Sequence, residues 1–286
     1  MEVRADIHDK IQKVLLHLHG NLGEKHSLES LSKIGNISPY YFHRLIRMYL
    51  QEPIWAYVKR IRLEAGLRFL QYTDEGILDI AIKLGYETQS AFTKAFSLHF
   101  GMSPTKARAK SNRIMAEVRK ENDGSSLLSC KPEFRYIPDM FFAYAYVKGF
   151  YGNPDTPLAW ERLREYFCKN NYFTSSSSFF GLCYDDPKIT PCDSHRYQAC
   201  ISLEERSPVK GEGIYFSKFN GGKFMTFIHK GPYKDLNDSM SYIAAFYLTD
   251  PKIQLRDYHA TLHFYLNNPN NTPPEELLTE VLFPIE

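Results

Sequence analysis

Two patterns of apolar residues divide the chain into a helical part and a part built from strands. Up to residue 110, apolar residues recur at three- and four-residue steps, which predicts amphipathic helices. After residue 130 the pattern changes to short aromatic and β-branched runs bounded by Gly, Pro, Asn and Asp, which predict strands. The sequence therefore predicts an all-α domain at residues 1–110, a polar linker at 111–129 and an α+β domain at 130–286.

The helical part contains one design twice. The first copy is SLESLSKIGNISPYYFHRLIR, beginning at Ser27, and the second runs from Ile80 to Pro104. Each copy predicts a helix, a turn and a second helix, and Asn36 and Gly85 hold corresponding turn positions because both residue types tolerate a left-handed backbone. This is a helix-turn-helix, the motif that lays its second helix in the major groove of DNA.

The second helix of each copy has an apolar side and a polar side. Phe42 and Leu45 in the first copy, and Phe92 and Phe96 in the second, are predicted to face the core. The predicted base-reading residues are Tyr40, His43 and Arg44 in the first copy, and Gln89, Ser90, Thr93 and Lys94 in the second. Each of these residues taken alone is also compatible with an ordinary solvated helix face.

A long helix is predicted to connect the two copies. It runs from Pro53 to Tyr72 in the sequence, a length of roughly 30 Å at about 1.5 Å per residue. A stiff connector of that length is suited to hold two recognition helices about one duplex turn apart.

The second part of the chain also contains a repeat. Lys148-Gly149-Phe150-Tyr151 recurs as Lys230-Gly231-Pro232-Tyr233, each after a predicted strand and before a predicted helix. The helices are expected at residues 158–170 and 234–248, each leading to a further pair of strands. Two duplicated strand–helix–strand–strand halves predict a pseudo-symmetric cleft in which small ligands bind.

Charge separates the same two parts. Residues 1–120 carry 19 Lys and Arg against 12 Asp and Glu, a net charge of +7, and the remaining residues carry 16 against 21, a net of −5. A basic first part indicates an anion-binding domain. The five cysteines form no Cys-x-x-Cys pair and the histidines show no ligand spacing, so neither a metal nor a cofactor is expected. The absence of a signal peptide and of a long apolar run favours a cytoplasmic protein without a membrane segment.

Residues 1–110 resemble the DNA-binding domain of AraC-type (AraC/XylS) transcription regulators. The resemblance covers both copies, the connector RIRLEAGLRFL and the closing FGMSP. It implies base contacts to double-stranded DNA from the seven outward residues named above.

Residues 130–286 resemble the gyrase-inhibitor-like effector-binding domain, through YVKGFY, YDDPKITP with HRYQACI, GGKFMTFIHKGPY and HFYLNNPNNTPPEELLTEVLFPIE. The resemblance implies a cleft for a small amphipathic ligand. The residues expected to line it are Tyr146, Tyr151, Trp160, Tyr197, Phe219, His263 and Tyr265. Many family members have Glu where this chain has His263, which favours neutral or anionic ligands here, or another carboxylate such as Glu161. His263 as a satisfied core residue is the alternative.

Two other functions remain open for the second domain. It is expected to bind a protein such as RNA polymerase or a topoisomerase if it is not a ligand sensor. Hydrolysis of a small molecule is the less favoured alternative, because no nucleophile or oxyanion donor is placed by the sequence and no catalytic motif occurs. The chain is therefore expected to be a regulator rather than an enzyme.

Overall fold

The computed structural model describes residues 5–50, 52–121, 132–148, 155–184, 195–204, 213–243, 247–248, 250, 252–256 and 261–286. Residues 6–121 form one compact unit, and the described residues of 132–243 and 253–286 form another. The described residues of 244–252 group with the first of these units rather than with the second.

The helical unit contains the elements that the sequence predicts. Its helices are α1 (Ala5–Gly20), α2 (Leu28–Ile34), α3 (Pro39–Leu50), α4 (Ile54–Tyr72), α5 (Ile77–Lys83), α6 (Gln89–Phe100) and α7 (Pro104–Glu121). Ser27 caps α2, since its hydroxyl accepts from the Ser30 backbone N–H and the Ser30 hydroxyl accepts from the Ser27 backbone N–H. Thr88 caps α6 in the same way by accepting from the backbone N–H of Ala91.

Helix α7 is longer than the sequence predicts. It continues to Glu121, so the first eleven residues of the segment expected to be a linker are helical. Residues 111–121 contain Arg, Glu, Lys, Met and Ala, all of which favour helix although the segment is polar as a whole. Ala107 packs into the domain core and Ser111 is buried, so one side of α7 is anchored.

Two apolar cores stabilise the helical unit, one for each helix-turn-helix. We call α2–α3 the first unit and α5–α6 the second unit. Ile54, Tyr57, Val58 and Ile61 of α4 belong to the first core, whereas Leu63, Ala65 and Leu70 belong to the second. Helix α4 therefore fixes the two units relative to each other, as the length of the connector predicted.

The other compact unit is an eight-stranded antiparallel sheet with helices. Its elements are β1 (Glu133–Ile137), β2 (Met140–Lys148), α8 (Asp155–Lys169), β3 (Phe179–Cys183), β4 (Arg196–Leu203), β5 (Tyr215–Phe219), β6 (Gly222–Lys230), α9 (Leu236–Ile243), β7 (Thr261–Tyr265) and β8 (Leu278–Pro284). The strand order is β1-β6-β8-β7-β3-β4-β2-β5. The strands β1 and β5 lie outside the two strand–helix–strand–strand halves that the sequence predicts.

The duplication extends through every strand of the sheet. The strands β1 to β4 recur as β5 to β8 at an offset of 82 residues, the same offset as the Lys-Gly repeat. Each half exchanges its first strand, because β1 pairs with β6 and β5 pairs with β2. The halves meet where β3 pairs with β7, and there Gly181 lies directly opposite His263, its own counterpart in the repeat. The pseudo-twofold axis therefore passes between these two residues.

Both faces of the sheet carry apolar clusters. On one face, Ala143, Ala145 and Val147 of β2 pack with Leu163 and Phe167 of α8. Directly opposed residues of antiparallel strands share a face, so the row Ala145, Ala199, Gly181, His263, Val281 and Phe227 lies on this helix-bearing face. The other face carries a cluster that includes Phe142, Tyr144, Phe180 and Phe224.

Candidate functional site

Helix α3 has one buried side and one exposed side, as predicted. Phe42 and Leu45 are buried in the first core. Tyr40, His43 and Arg44 are exposed, and Tyr40 retains 75% of its accessible surface. Because most of its surface is in water, the Tyr40 ring has little packing role in its own domain and offers a large contact surface.

Helix α6 also has one buried side and one exposed side, and its exposed side chains are smaller and more polar than those of α3. Phe92 and Phe96 are fully buried, with ring centroids 5.4 Å apart. Gln89, Ser90 and Lys94 are exposed, whereas Thr93 is half-buried. Thr93 thus lies at the edge of the exposed face.

The turns of the two units are alike but differ in length. Asn36 and Gly85 both have left-handed backbones, with φ of 49° and 76°. In each unit the next backbone N–H bonds back into the first helix, from Ile37 to Ser32 and from Tyr86 to Ala81. Four residues separate α2 from α3, and five separate α5 from α6. The predicted turn positions are confirmed.

Some basic residues of the helical unit are structural. The Arg60 guanidinium contacts Glu52 at 2.7 Å and Glu64 at 3.1 Å, and all three side chains are largely shielded from solvent. Its charge is therefore compensated within the domain. Arg44, Arg47 and Lys94 instead extend from exposed positions of α3 and α6, where cations can reach phosphate groups.

In the sheet unit, aromatic side chains converge on the helix-bearing face around the pseudo-twofold axis. The hydroxyls of Tyr197 and Tyr265 lie 3.0 Å apart. They approach above Gly181, where a Cβ would lie 2.6 Å from the Tyr197 ring and 2.9 Å from the Tyr265 hydroxyl. Glycine at this position therefore allows the two tyrosines to meet.

Two further rings surround Tyr265. The centroid of Trp160 on α8 lies 5.6 Å from that of Tyr265, edge to face. Tyr233, at the turn before α9, lies 5.3 Å from it. We call Trp160, Tyr197, Tyr233, His263 and Tyr265 the cleft group. The sequence does not predict Tyr233 as a cleft residue, although its equivalence to Tyr151 in the repeat is a signal for that position.

His263 lies opposite Gly181 in the sheet and is 6% exposed. Its Nδ1 lies 3.5 Å from Cys183 Sγ, and its Nε2 lies 3.2 Å from the Thr261 hydroxyl. Burial, with a smaller contribution from nearby His229, lowers the pKa of His263 from 6.5 to about 4. The imidazole is therefore neutral at neutral pH, and both ring nitrogens have side-chain partners, as the core-residue alternative expects.

The remaining predicted cleft residues do not join this group. Tyr146 lies on the opposite face because side chains alternate along a strand, and its β2 neighbours Phe142 and Tyr144 pack there. Phe219 packs in that same cluster, against Phe224. Tyr151 lies outside the described residues. Glu161, the other carboxylate considered, is exposed on α8.

Within the described residues, no helix has both the length and the apolar character needed to cross a membrane.

Two protein families match the chain over the two units. The family described as "GyrI-like small molecule binding domain" matches residues 131–286, and the family described as "Helix-turn-helix domain" matches residues 31–110. The first match covers more than half of the chain, and the second covers both helix-turn-helix units.

Relatives of known name match about a third of the chain. The HTH-type transcriptional activator AarP of Providencia stuartii is 29% identical over 95 residues, which are 33% of this chain and 70% of AarP. The transcriptional regulator Rob of Salmonella typhimurium is 30% identical over 101 residues, which are 35% of this chain. The matched part is only 35% of the length of Rob.

A solved structure shares the fold over both units. It is described as a cryo-EM structure of the EcmrR-DNA complex in EcmrR-RPo, with a TM-score of 0.50 and 16% identity. The likeness covers 91% of this chain and 99% of that one. The two family matches identify the chain as a member of the GyrI-like family that carries an AraC-type helix-turn-helix domain before its small molecule binding domain.

Proposed function

We propose that this protein is a transcription regulator that reads double-stranded DNA with α3 and α6 and senses a small amphipathic molecule with the cleft group. The observation that carries the DNA part is the repeated division of α3 and α6. In both helices an aromatic residue at the fourth position is fully buried, and polar residues at the second and sixth positions are exposed.

The two helices supply different contacts to the proposed operator. Helix α3 presents a guanidinium and an imidazole, which suit the acceptor edge of guanine. Helix α6 presents an amide, a hydroxyl and an ammonium group, and amides suit the edge of adenine. The 19 residues of α4 correspond to roughly 28 Å, which supports placement of the two helices in successive major grooves of one DNA face.

Salt and charge variants test the DNA proposal. Affinity for DNA is expected to fall steeply with salt, because phosphate contacts release counterions. Arg44→Ala and Lys94→Ala are each expected to weaken specific binding by about tenfold or more, equivalent to roughly 1–3 kcal/mol. Lys120→Ala, at the end of α7, removes the same charge far from α3 and α6 in sequence and serves as control. Equal affinity in all three variants would exclude the proposed reading faces.

The ligand class follows from the cleft group. Aromatic rings favour flat, apolar ligands, and the tyrosine hydroxyls offer hydrogen bonds. A neutral His263 supplies no negative charge to compensate a buried cation. We infer that the cleft favours neutral amphipathic molecules over cationic ones.

A thermal-shift screen of the full chain tests this ligand class. A ligand that binds only the folded protein raises the melting temperature with concentration. We expect a saturable rise with neutral aromatic amphiphiles and little or none with cationic dyes. His263→Glu is expected to reverse the preference toward cationic dyes. Stronger binding of cationic dyes by the parent protein would contradict the inferred class.

Protein binding is a second candidate function, favoured by the sheet edge. Strand β1 is an edge strand, and its Phe134 and Tyr136 remain 59% and 70% exposed. Exposed edge strands can pair with another chain, and RNA polymerase is the partner we consider first. Retention of purified polymerase on the full chain, lost in Phe134→Ser/Tyr136→Ser, would support it, whereas equal retention would exclude this edge.

Hydrolysis receives less support than binding. A histidine whose pKa lies near 4 is a weak general base at neutral pH, and the contacts to Cys183 and Thr261 hold its ring. Mass spectrometry of a bound ligand after prolonged incubation distinguishes the two, because only an enzyme consumes the ligand.

A further inference from the structure

The loop between α1 and α2 lies between the two helix-turn-helix units. Leu22 of this loop packs against both apolar cores. Gly23 closely approaches the second unit, since a Cβ there would lie 2.5 Å from the Lys83 backbone oxygen. The loop therefore contacts both units of the DNA-binding domain.

Polar contacts fix the next residues of the loop. The Arg62 guanidinium of α4 donates to the Glu24 backbone oxygen at 2.7 Å. Lys25 forms an ion pair with Glu87, which precedes α6, at 3.0 Å. These contacts hold the Glu24 backbone in place, while its side chain is exposed.

Three potential metal ligands meet at this loop. His17 comes from the last turn of α1, and Glu24 and His26 come from the loop. One ligand atom from each residue lies within 4.8 Å of the other two, and the imidazole rings of His17 and His26 are 5.5 Å apart at 73°. The spacing His-x6-Glu-x-His is not a familiar zinc pattern, and the reversal of the chain after α1 brings these residues together.

The surroundings prepare His26 for coordination. Its Nε2 lies 3.0 Å from the Asn21 backbone oxygen and must donate to it, so Nδ1 carries the lone pair. A hydrogen bond from the second ring nitrogen to a carbonyl is the usual support of a metal-bound histidine. If His17 coordinates the ion, the side-chain contact that it can lose is the one between its Nδ1 and the Asn21 side-chain amide. This contact is long, at 3.3 Å.

We propose that His17, Glu24 and His26 bind a zinc ion, with water completing the coordination. Imidazole nitrogen and carboxylate oxygen are ordinary zinc ligands, and three protein ligands with one open position form a known type of zinc site. Tetrahedral coordination places ligand atoms roughly 3.4 Å apart. The exposed Glu24 side chain and the two rings therefore need to close by at most about 1.4 Å from the present limit of 4.8 Å. The bound ion would tie the end of α1 to the loop that contacts both units.

Calorimetric titration of zinc chloride into the full-length chain tests this site. We expect saturable binding that magnesium chloride does not reproduce. Glu24→Gln and His26→Ala are each expected to weaken it by at least about tenfold. Glu29→Gln and His99→Ala remove a carboxylate and an imidazole elsewhere in the same domain and are expected to bind zinc as the parent does.

Hydrogen exchange locates the ion independently of affinity. Zinc is expected to slow amide exchange in residues 20–28 of the parent chain but not of Glu24→Gln, whose exposed side chain makes it a mild replacement. The proposal is overturned if the parent shows no saturable zinc binding. It is also overturned if Glu24→Gln and His26→Ala bind zinc like the parent, because the ion would then lie elsewhere.

Discussion

Each of the two domains contains an internal duplication. The two copies differ on the exposed side in the helical domain and at the buried centre in the sheet domain. In the helical domain, the repeat retains its buried aromatic residues at Phe42 and Phe92 and differs on the exposed side, where Arg44 corresponds to Lys94 and Tyr40 to Ser90. In the sheet domain, the repeat retains all four strands and differs at its buried centre. The pairs there are Gly181 and His263, Cys183 and Tyr265, and Tyr197 and Thr279.

The difference follows from where each domain is proposed to bind. A helix that reads DNA binds with its outer side, so its inner side remains free to serve the common core. A sheet that encloses a ligand binds it with its inner side, so the two halves of the duplication differ in sequence there and form an asymmetric cleft. One large residue opposite glycine suits such a cleft, because Tyr197 and Tyr265 then occupy the space above Gly181.

The largest expected effect tests the shared cores of the helical domain. Phe42→Ala and Phe92→Ala are each expected to lower the free energy of unfolding by about 3–5 kcal/mol, because each ring is fully buried. Tyr40→Ala and Ser90→Ala, on the exposed side, should change it by no more than about 0.5 kcal/mol. Urea unfolding followed by helical circular dichroism measures both. If Phe42→Ala or Phe92→Ala lowered the free energy of unfolding as little as the exposed-side variants do, the contrast between buried and exposed sides would be wrong.

The second prediction concerns acid sensitivity at the centre of the sheet. The folded protein keeps His263 neutral down to about pH 4, whereas the unfolded chain takes up a proton below about 6.5. Stability is therefore lost as pH falls through this window, by up to about 3 kcal/mol from this residue. His263→Gln should show a shallower loss when urea midpoints at pH about 7 and about 4.5 are compared. Parallel pH profiles would show that His263 is not buried as described.

The third prediction tests the small residue opposite His263. Gly181→Ala places a methyl group against the Tyr197 ring and the Tyr265 hydroxyl, and we expect a loss of about 1–3 kcal/mol from overpacking. It should also weaken any ligand detected by thermal shift, because the tyrosines separate. Gly20→Ala, where a Cβ meets no neighbour within 4 Å, is the control. If Gly181→Ala were as stable as Gly20→Ala, the Tyr197 ring and the Tyr265 hydroxyl could not lie against Gly181.

The smallest expected effect concerns the left-handed residues of the two turns. Gly85→Ala is expected to cost about 1–2 kcal/mol, since alanine disfavours the left-handed backbone and its Cβ would lie 2.7 Å from the Gly23 oxygen. Asn36→Gly should change stability by less than about 0.5 kcal/mol, because glycine adopts the same backbone freely. A large loss in Asn36→Gly would mean that the two turns are not equivalent.

The sequence predicts the helical domain well because its signals are local. The Ser27 cap, the buried phenylalanines and the left-handed turn residues each depend on neighbours within a few positions. The end of α7 is the exception, since a polar helix anchored through Ala107 and Ser111 resembles a linker in composition.

The sheet domain is less predictable because its information is not local. Apolar clusters pack on both faces of the sheet, so apolar residues point to both faces and the pattern does not reveal which face holds the cleft. The sequence therefore assigns Tyr146 to the cleft, although Tyr146 lies on the face opposite to the cleft group. Strand β1 escaped prediction because four of its five residues are exposed, and the zinc ligands His17 and Glu24 meet only through the folded loop.

Selection of duplexes from a random DNA pool by the full-length chain tests the central claim most directly. Two recognition helices held by α4 predict an enriched motif with two parts, centred about 10–10.5 base pairs apart. Arg44→Ala should relax only one part and Lys94→Ala only the other. Enrichment of a single short site that responds to one variant alone, or no enrichment, would contradict the account.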